Sequence, residues 1–195
     1  MNVEGLRFIE ETSWGDIFAI WKEREGTMEG WKKVAKQKGW ESWEEWRDAH
    51  MQNIGAKERK WFRYEILDPL KSVPQFKVGP TPSWQAHFPE SERNQHTFED
   101  LVNGDSFHGD DKKNDKTRSM LVTFPKSTEF IGVVLADKTV VLMEGHHRAA
   151  AIALAAQKGE KVKMSGLPTI AIAFFDAGEE TLIDAMLRRG SAKLK

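Results

Sequence analysis

Between Leu142 and Ala156 the chain reads LMEGHHRAAAIALAA, and here residue types and spacing suit chemistry. Glu144, Gly145, His146, His147 and Arg148 follow one another where an apolar strand gives way to an alanine-rich buried helix. A helix N-terminus carries partial positive charge, so two histidines and an arginine are unfavourable there unless something negative sits among them. A phosphate would answer that need. Backbone N–H groups at a helix start point outward and favour anions. Gly145 lets a ligand approach the backbone without meeting a Cβ. Arg148 can form a charge-assisted, often bidentate, pair with phosphate oxygens. One of His146 and His147 can donate another hydrogen bond; neighbours on a helix diverge by about 100°, so the two need not share a task. The competing reading gives Arg148 to Glu144, which leaves no anion to explain. Adjacent histidines do not match the i, i+4 pairing of helix-borne zinc ligands, which sets a histidine metal centre aside.

The flanking elements define how such a turn is held. Residues 130–136 (FIGVVLA) and 139–143 (TVVLM) read as strands of a hairpin, with Asp137-Lys138 as a two-residue turn. The helix runs from His146 to Gln157 and stops at Gly159. LPTIAIAFF, residues 167–175, is a continuous apolar strand suited to the middle of a sheet. GEETLIDAMLRRG is a last helix with Glu179 and Glu180 in its first turn and Arg188 and Arg189 in its last, as the dipole prefers. That helix obeys the charge rule that the one beginning at His146 breaks.

Upstream, residues 1–60 form a tryptophan-rich segment with a helical pattern, Trp14, Trp21, Trp31, Trp40, Trp43 and Trp46 among them. Gly39 stops a helix that carries Trp31 and Val34, and Ser42 caps the next, with Glu45 three residues on. Rings at helical spacing normally pack inward, so these are read as core rather than as base-stacking platforms. WFRYEIL, from Trp61, is a strand ending at Asp68-Pro69. The proline-punctuated stretch that follows reads as extended across the surface, and HTFEDLV as a short helix capped by Thr97 with Asp100 at N3. Residues 103–118, polar with alternating charge, read as a solvated loop.

Composition bounds the function. The 195 residues suit one compact domain with a helical extension, and 29 Lys plus Arg against 30 Asp plus Glu favour neither nucleic acid nor membrane as partner. The absence of cysteine excludes disulfides, thiolate catalysis and cysteine-ligated metal. No apolar run approaches the roughly 20 residues needed to span a bilayer. The N-terminal residues lack a signal-peptide apolar region, so a soluble cytoplasmic protein is expected. The oligomeric state is left open.

The hairpin followed by EGHHRAAAIALAAQKGE resembles the signature of the ParB/sulfiredoxin superfamily, in which a hairpin leads into a glycine-arginine helix cap. The match covers residues 130–175, extends more weakly back to Trp61, and does not reach residues 1–60. Sulfiredoxins carry Gly-Cys-His-Arg and ParB proteins Gly-Glu-Arg-Arg; the ADP-dependent free-serine kinase group carries Asp-Gly-His-His-Arg, the nearest to Glu144–Arg148. The resemblance implies an α+β fold, a ParB/sulfiredoxin-like mixed sheet with flanking helices over residues 61–195. It implies that Gly145, His147 and Arg148 contact the phosphates of ATP, ADP or CTP. Glu144 would hold Mg²⁺ or orient an acceptor hydroxyl, and His146, standing where sulfiredoxins have cysteine, is the second catalytic candidate. The expected function is therefore a nucleotide-binding phosphotransferase or nucleotide hydrolase acting on a small molecule with Mg²⁺. The alternatives are a DNA-associated ParB-like nuclease or partition regulator, and a non-enzymatic nucleotide-gated interaction module.

Overall fold

The computed structural model describes residues 3–125 and 128–193. Strand β1 (Leu6–Thr12) leads into helices α1 (Trp14–Trp21), α2 (Glu29–Gln37) and α3 (Trp43–Met51), then strand β2 (Trp61–Ile66). Helices α4 (Pro69–Ser72), α5 (Pro82–Gln85), α6 (Phe98–Asn103), α7 (Asp105–His108) and α8 (Asp111–Val122) fill the middle of the chain. Strands β3 (Glu129–Val134) and β4 (Val140–Glu144), helix α9 (His146–Lys158), strand β5 (Thr169–Phe174) and helix α10 (Thr181–Arg189) complete it. A π turn, Lys22–Gly26, prolongs α1.

The five strands form one mixed sheet in the order β1-β2-β5-β3-β4. Only β3 and β5 are parallel; the other neighbours are antiparallel. Because side chains alternate across a strand, each inner strand feeds two cores. Phe130, Val134, Val140, Leu142, Ile170 and Ile172 face α6 and α9. Ile131, Val133, Val141, Met143, Ala171 and Ala173 face the N-terminal tryptophans and α10. Burial on both faces explains why β3, β4 and β5 read as unbroken apolar runs.

The tryptophans belong mainly to that second core. Trp14, Trp21, Trp43, Trp46 and Trp61 are buried, with Trp21 edge-on to Trp43 at 5.3 Å between ring centroids. Ser42 accepts the Glu45 N–H at 3.0 Å, and Gly39 takes the left-handed conformation after α2. The capping box predicted from Thr97 and Asp100 is present, and Gly159 ends α9 in the left-handed region.

The structure corrects five expectations. The segment before Trp61 is not wholly helical: Leu6–Thr12 is an edge strand paired with β2. With only Leu6 buried it has no apolar face to advertise, and its partner residues lie 49 to 60 positions away. Residues 103–118 are not a loop but contain α7 and most of α8. Their polarity is that of a solvated face; Phe107 and Thr117 are buried and Met120 and Leu121 pack against the core. The hairpin turn has three residues, closed by Leu135 and Thr139, with Lys138 left-handed at φ 73° and Asp137 accepting the Thr139 N–H. The proline-rich stretch is neither extended nor wholly on the surface, for it holds α4 and α5. Lys77 bridges to Val141, so the segment covers the β4 edge, and Val78, Gly79 and Pro80 are buried. Finally α10 begins at Thr181, which places Glu180 at its N-cap and Glu179 ahead of it.

Candidate functional site

β4 delivers Glu144 to the end of the sheet, and the chain turns at once into α9. Gly145 makes this possible with φ 102°, a conformation that side chains disfavour. It also has no room for one: a Cβ there would stand 2.4 Å from the Phe130 ring and 3.1 Å from Arg148 Nη2. The turn therefore presses backbone, ring and guanidinium together, with the Arg148 guanidinium 5.2 Å from the centre of Phe130.

Glu144 and Arg148 do pair. Arg148 Nη2 donates to Oε1 at 2.8 Å and Oε2 at 2.5 Å, both side chains being buried. The pair is not self-sufficient. Arg24, from the π turn, donates Nη2 to Glu144 Oε2 at 2.9 Å and Nη1 to the Glu129 carbonyl at 3.0 Å. Arg148 uses one nitrogen for its bonds; Nη1 is buried with no hydrogen-bond partner among the described residues. Burial by itself would raise the Glu144 carboxyl, but Arg148, Arg24 and Arg47 outweigh it and hold it below its ordinary range.

A second carboxylate lies close by. Glu25 accepts from Trp21 Nε1 at 3.0 Å and pairs with Arg47 at 3.5 Å. Burial, then repulsion from Glu144, push its carboxyl up, with Arg47 opposing. Around these two acids stand Arg24, Arg47, Arg148 and Lys116, so the cluster carries an excess of positive charge. Arg47 is held by rings as well, its guanidinium 4.0 Å from the centre of Trp46 and about 5 Å from those of Trp21 and Trp31.

The two histidines part company. His146 is buried and stacks on Trp84, with ring centroids 5.6 Å apart and planes 21° from parallel. Burial pushes it down to about 4, Glu144 opposing and Arg47 adding to the effect, so it is neutral at pH 7. Its Nε2 lies beside Gly79 without a well-formed hydrogen bond. His147 is half-buried and meets Trp84 edge-on at 4.8 Å. Trp84 is itself held by Gln85, whose Nε2 donates to the carbonyls of Val78 and Gly79 and whose Oε1 accepts the Asn94 N–H.

Gly145, His146 and His147 open onto a cavity of about 450 Å³. Its other walls are Met143 and Glu144, Trp31 and Val34 of α2 with Lys38 just beyond, Trp46, Arg47 and His50 of α3, residues Thr81–Trp84, and Ser191; the Arg148 side chain is not part of the lining. His50 is pushed down to about 3 by burial, then by Arg47 and Lys38. Trp46 Nε1, Arg47 Nε and His50 Nδ1, like Arg148 Nη1 and His146 Nε2, are buried without a hydrogen-bond partner among the described residues.

Glu144, Gly145, His146, His147 and Arg148 thus do converge, but so do Arg24, Glu25, Lys38, Arg47, His50 and Trp84, which sequence reasoning missed. Two of these left a trace: Arg47 follows Trp46 directly in an aromatic helix, and Trp84 sits in a proline-bounded stretch. Arg24 and Glu25 lie on a π turn, a geometry frequent at functional sites but not readable from this sequence. Magnesium fits poorly at Glu144, because both carboxylate oxygens accept from guanidinium groups, and the ion prefers carboxylates it need not share. Among the described residues no group of three or more metal-ligating side chains comes together.

The fold and site define a mixed α+β protein with a buried arginine–glutamate cluster at a helix N-terminus. Compared with family models, curated proteins and solved structures, the chain matches none. Among the described residues no helix is long and apolar enough to cross a membrane.

Proposed function

We propose that the chain binds a phosphate-bearing nucleotide in the cavity between the start of α9 and helices α2 and α3. One observation carries this reading: the start of α9 shares the cavity with Lys38 and Arg47, and two donors of its walls, Arg47 Nε and Trp46 Nε1, are buried without a hydrogen-bond partner among the described residues. Buried polar groups ordinarily have partners, and each that lacks one costs on the order of 1–3 kcal/mol. An anion in the cavity offers acceptors to donors of its walls and offsets the excess positive charge. The resemblance of Glu144–Arg148 to the ParB/sulfiredoxin motif supports ATP, ADP or CTP as the ligand.

Binding is better supported than turnover. Glu144 is clamped by two arginines, which makes it a weak base and suits it to positioning them. His146 is the neutral group at which a phosphoryl-transfer reading would place proton uptake, and its low basicity argues for a modest contribution. Isothermal titration with ATP, ADP and CTP, with and without Mg²⁺, tests the proposal. Binding that persists without the metal is expected; no binding of any of them in the millimolar range overturns it. Assays of phosphate transfer to small hydroxyl acceptors and of plasmid cleavage then separate kinase, nuclease and passive binder.

A further inference from the structure

The wall of the cavity opposite α9 differs in chemistry from the phosphate end. Trp31 and Val34 lie one turn apart on α2, with Lys38 just past its end, and Trp46 and His50 one turn apart on α3, with Arg47 beside Trp46. These faces belong to the segment that the family resemblance does not cover. Arg47 is already charge-paired with Glu25 and stacked on Trp46. The wall is therefore aromatic and hydrogen-bonding rather than a second anion site. Trp46 Nε1 donates only, and His50 Nδ1 donates or accepts according to tautomer; both are buried without partners among the described residues. Buried indole N–H groups usually find an acceptor.

We infer that this wall is a base subsite: the planar heteroaromatic ring of the nucleotide packs on the half-buried Trp31 and on the Arg47 guanidinium that covers Trp46, and Trp46 Nε1 and His50 Nδ1 bond to its polar edge. The inference rests on the nucleotide reading above and adds to it that the tryptophan-rich helices are a recognition element as well as core. A cavity of about 450 Å³ is of the size that holds ligands of this class. Stacking of a base on an aromatic side chain is sequence-tolerant, so selectivity among bases falls to the two nitrogen groups.

The test compares ATP, GTP, CTP and UTP with inorganic tripolyphosphate, by titration against the full chain and against Trp46→Phe and His50→Gln. In the wild type at least one nucleotide should bind about tenfold or more tightly than tripolyphosphate, the scale of a single stacked base. Both variants keep the stacking surface and lose a nitrogen group, so the differences among the four nucleotides should shrink in each. Equal binding of nucleotides and tripolyphosphate would overturn the base subsite while leaving the phosphate reading intact. A preference among nucleotides that neither variant changes would remove Trp46 and His50 from it. Failure of tripolyphosphate and nucleotides alike would overturn both readings. The wild-type ratio needs no variant to fold.

Discussion

Glu144 serves two guanidinium groups at once, and that geometry governs what substitutions around it will do. Glu144→Gln leaves Arg24 and Arg148 without a counter-charge in a buried site, so unfolding stability should fall by about 3 kcal/mol in urea titrations. Phosphate or sulfate in the buffer should return part of that loss, because an anion can take over the charge; loss that is indifferent to anions would argue against an anion site. Arg148→Ala removes the donor nearest the turn and should weaken nucleotide binding about 10- to 100-fold, the scale of hydrogen bonds to charged groups, as read by titration. The carboxyls of Glu25 and Glu144 are driven in opposite directions by burial and by the three arginines between them. The cluster is one electrostatic unit, and single residues in it have no separate contributions.

At the level of elements, the β4–Gly145–α9 turn decides whether Glu144, His146 and Arg148 can meet. Gly145→Ala meets both an unfavourable φ and the Phe130 ring at 2.4 Å, and should cost about 3 kcal/mol and disturb nucleotide binding. Gly159, at the other end of the same helix, is left-handed too, with nothing within 4 Å of a Cβ. Gly159→Ala should therefore cost only about 1 kcal/mol and leave binding unchanged. Thermal unfolding of the two variants side by side, with titration of each, checks the contrast. The π turn at Lys22–Gly26 plays the matching part on the other side of the site, setting Arg24 towards Glu144 and Glu25 towards Arg47.

In the molecule as a whole, both faces of one sheet are buried, and the tryptophan helices supply one of the two cores. β1 pairs with β2, and Trp14 packs on Trp61 at 5.5 Å. Unfolding should accordingly show a single cooperative transition by tryptophan fluorescence and by far-ultraviolet dichroism, and residues 61–195 alone should not give it. Acid should weaken the fold. His146 and His50 are held down at about 4 and about 3, whereas the unfolded chain takes up these protons near pH 6.5. The stability they contribute is complete above pH 6.5 and is lost as pH falls towards their folded values, on the order of 3 kcal/mol for His146 between pH 6.5 and 4. Glu144, also lowered, acts in the same sense at lower pH; Glu25, raised, opposes it, its contribution being present in acid and lost as pH rises through its folded value. Melting temperatures from pH 8 to 4 should drop below pH 6.5, and the drop should be shallower in His50→Gln.

What the amino-acid sequence determined by itself is what neighbouring residues settle among themselves. The β3–β4 hairpin, α9 with its glycine at each end, the Ser42 and Thr97 caps and the inward tryptophans all follow from periodicity and from local hydrogen bonds within a few residues. Glu144–Arg148 pairing was legible too, being one helical turn apart. Tertiary structure alone decided the rest. Arg24 reaches Glu144 across 120 positions, and Arg59 reaches Glu179 across a like distance. A lone charged residue carries no periodic mark of such a partner. The same holds for β1, whose pairing with β2 gives it order without a buried face. It holds for α8, whose few core contacts are hidden among charges. The candidate site is shaped by both kinds of information: a local turn places the histidines and Arg148, and distant helices bring the arginines, carboxylate and rings that surround them, because only folding brings α2 and α3 beside the start of α9.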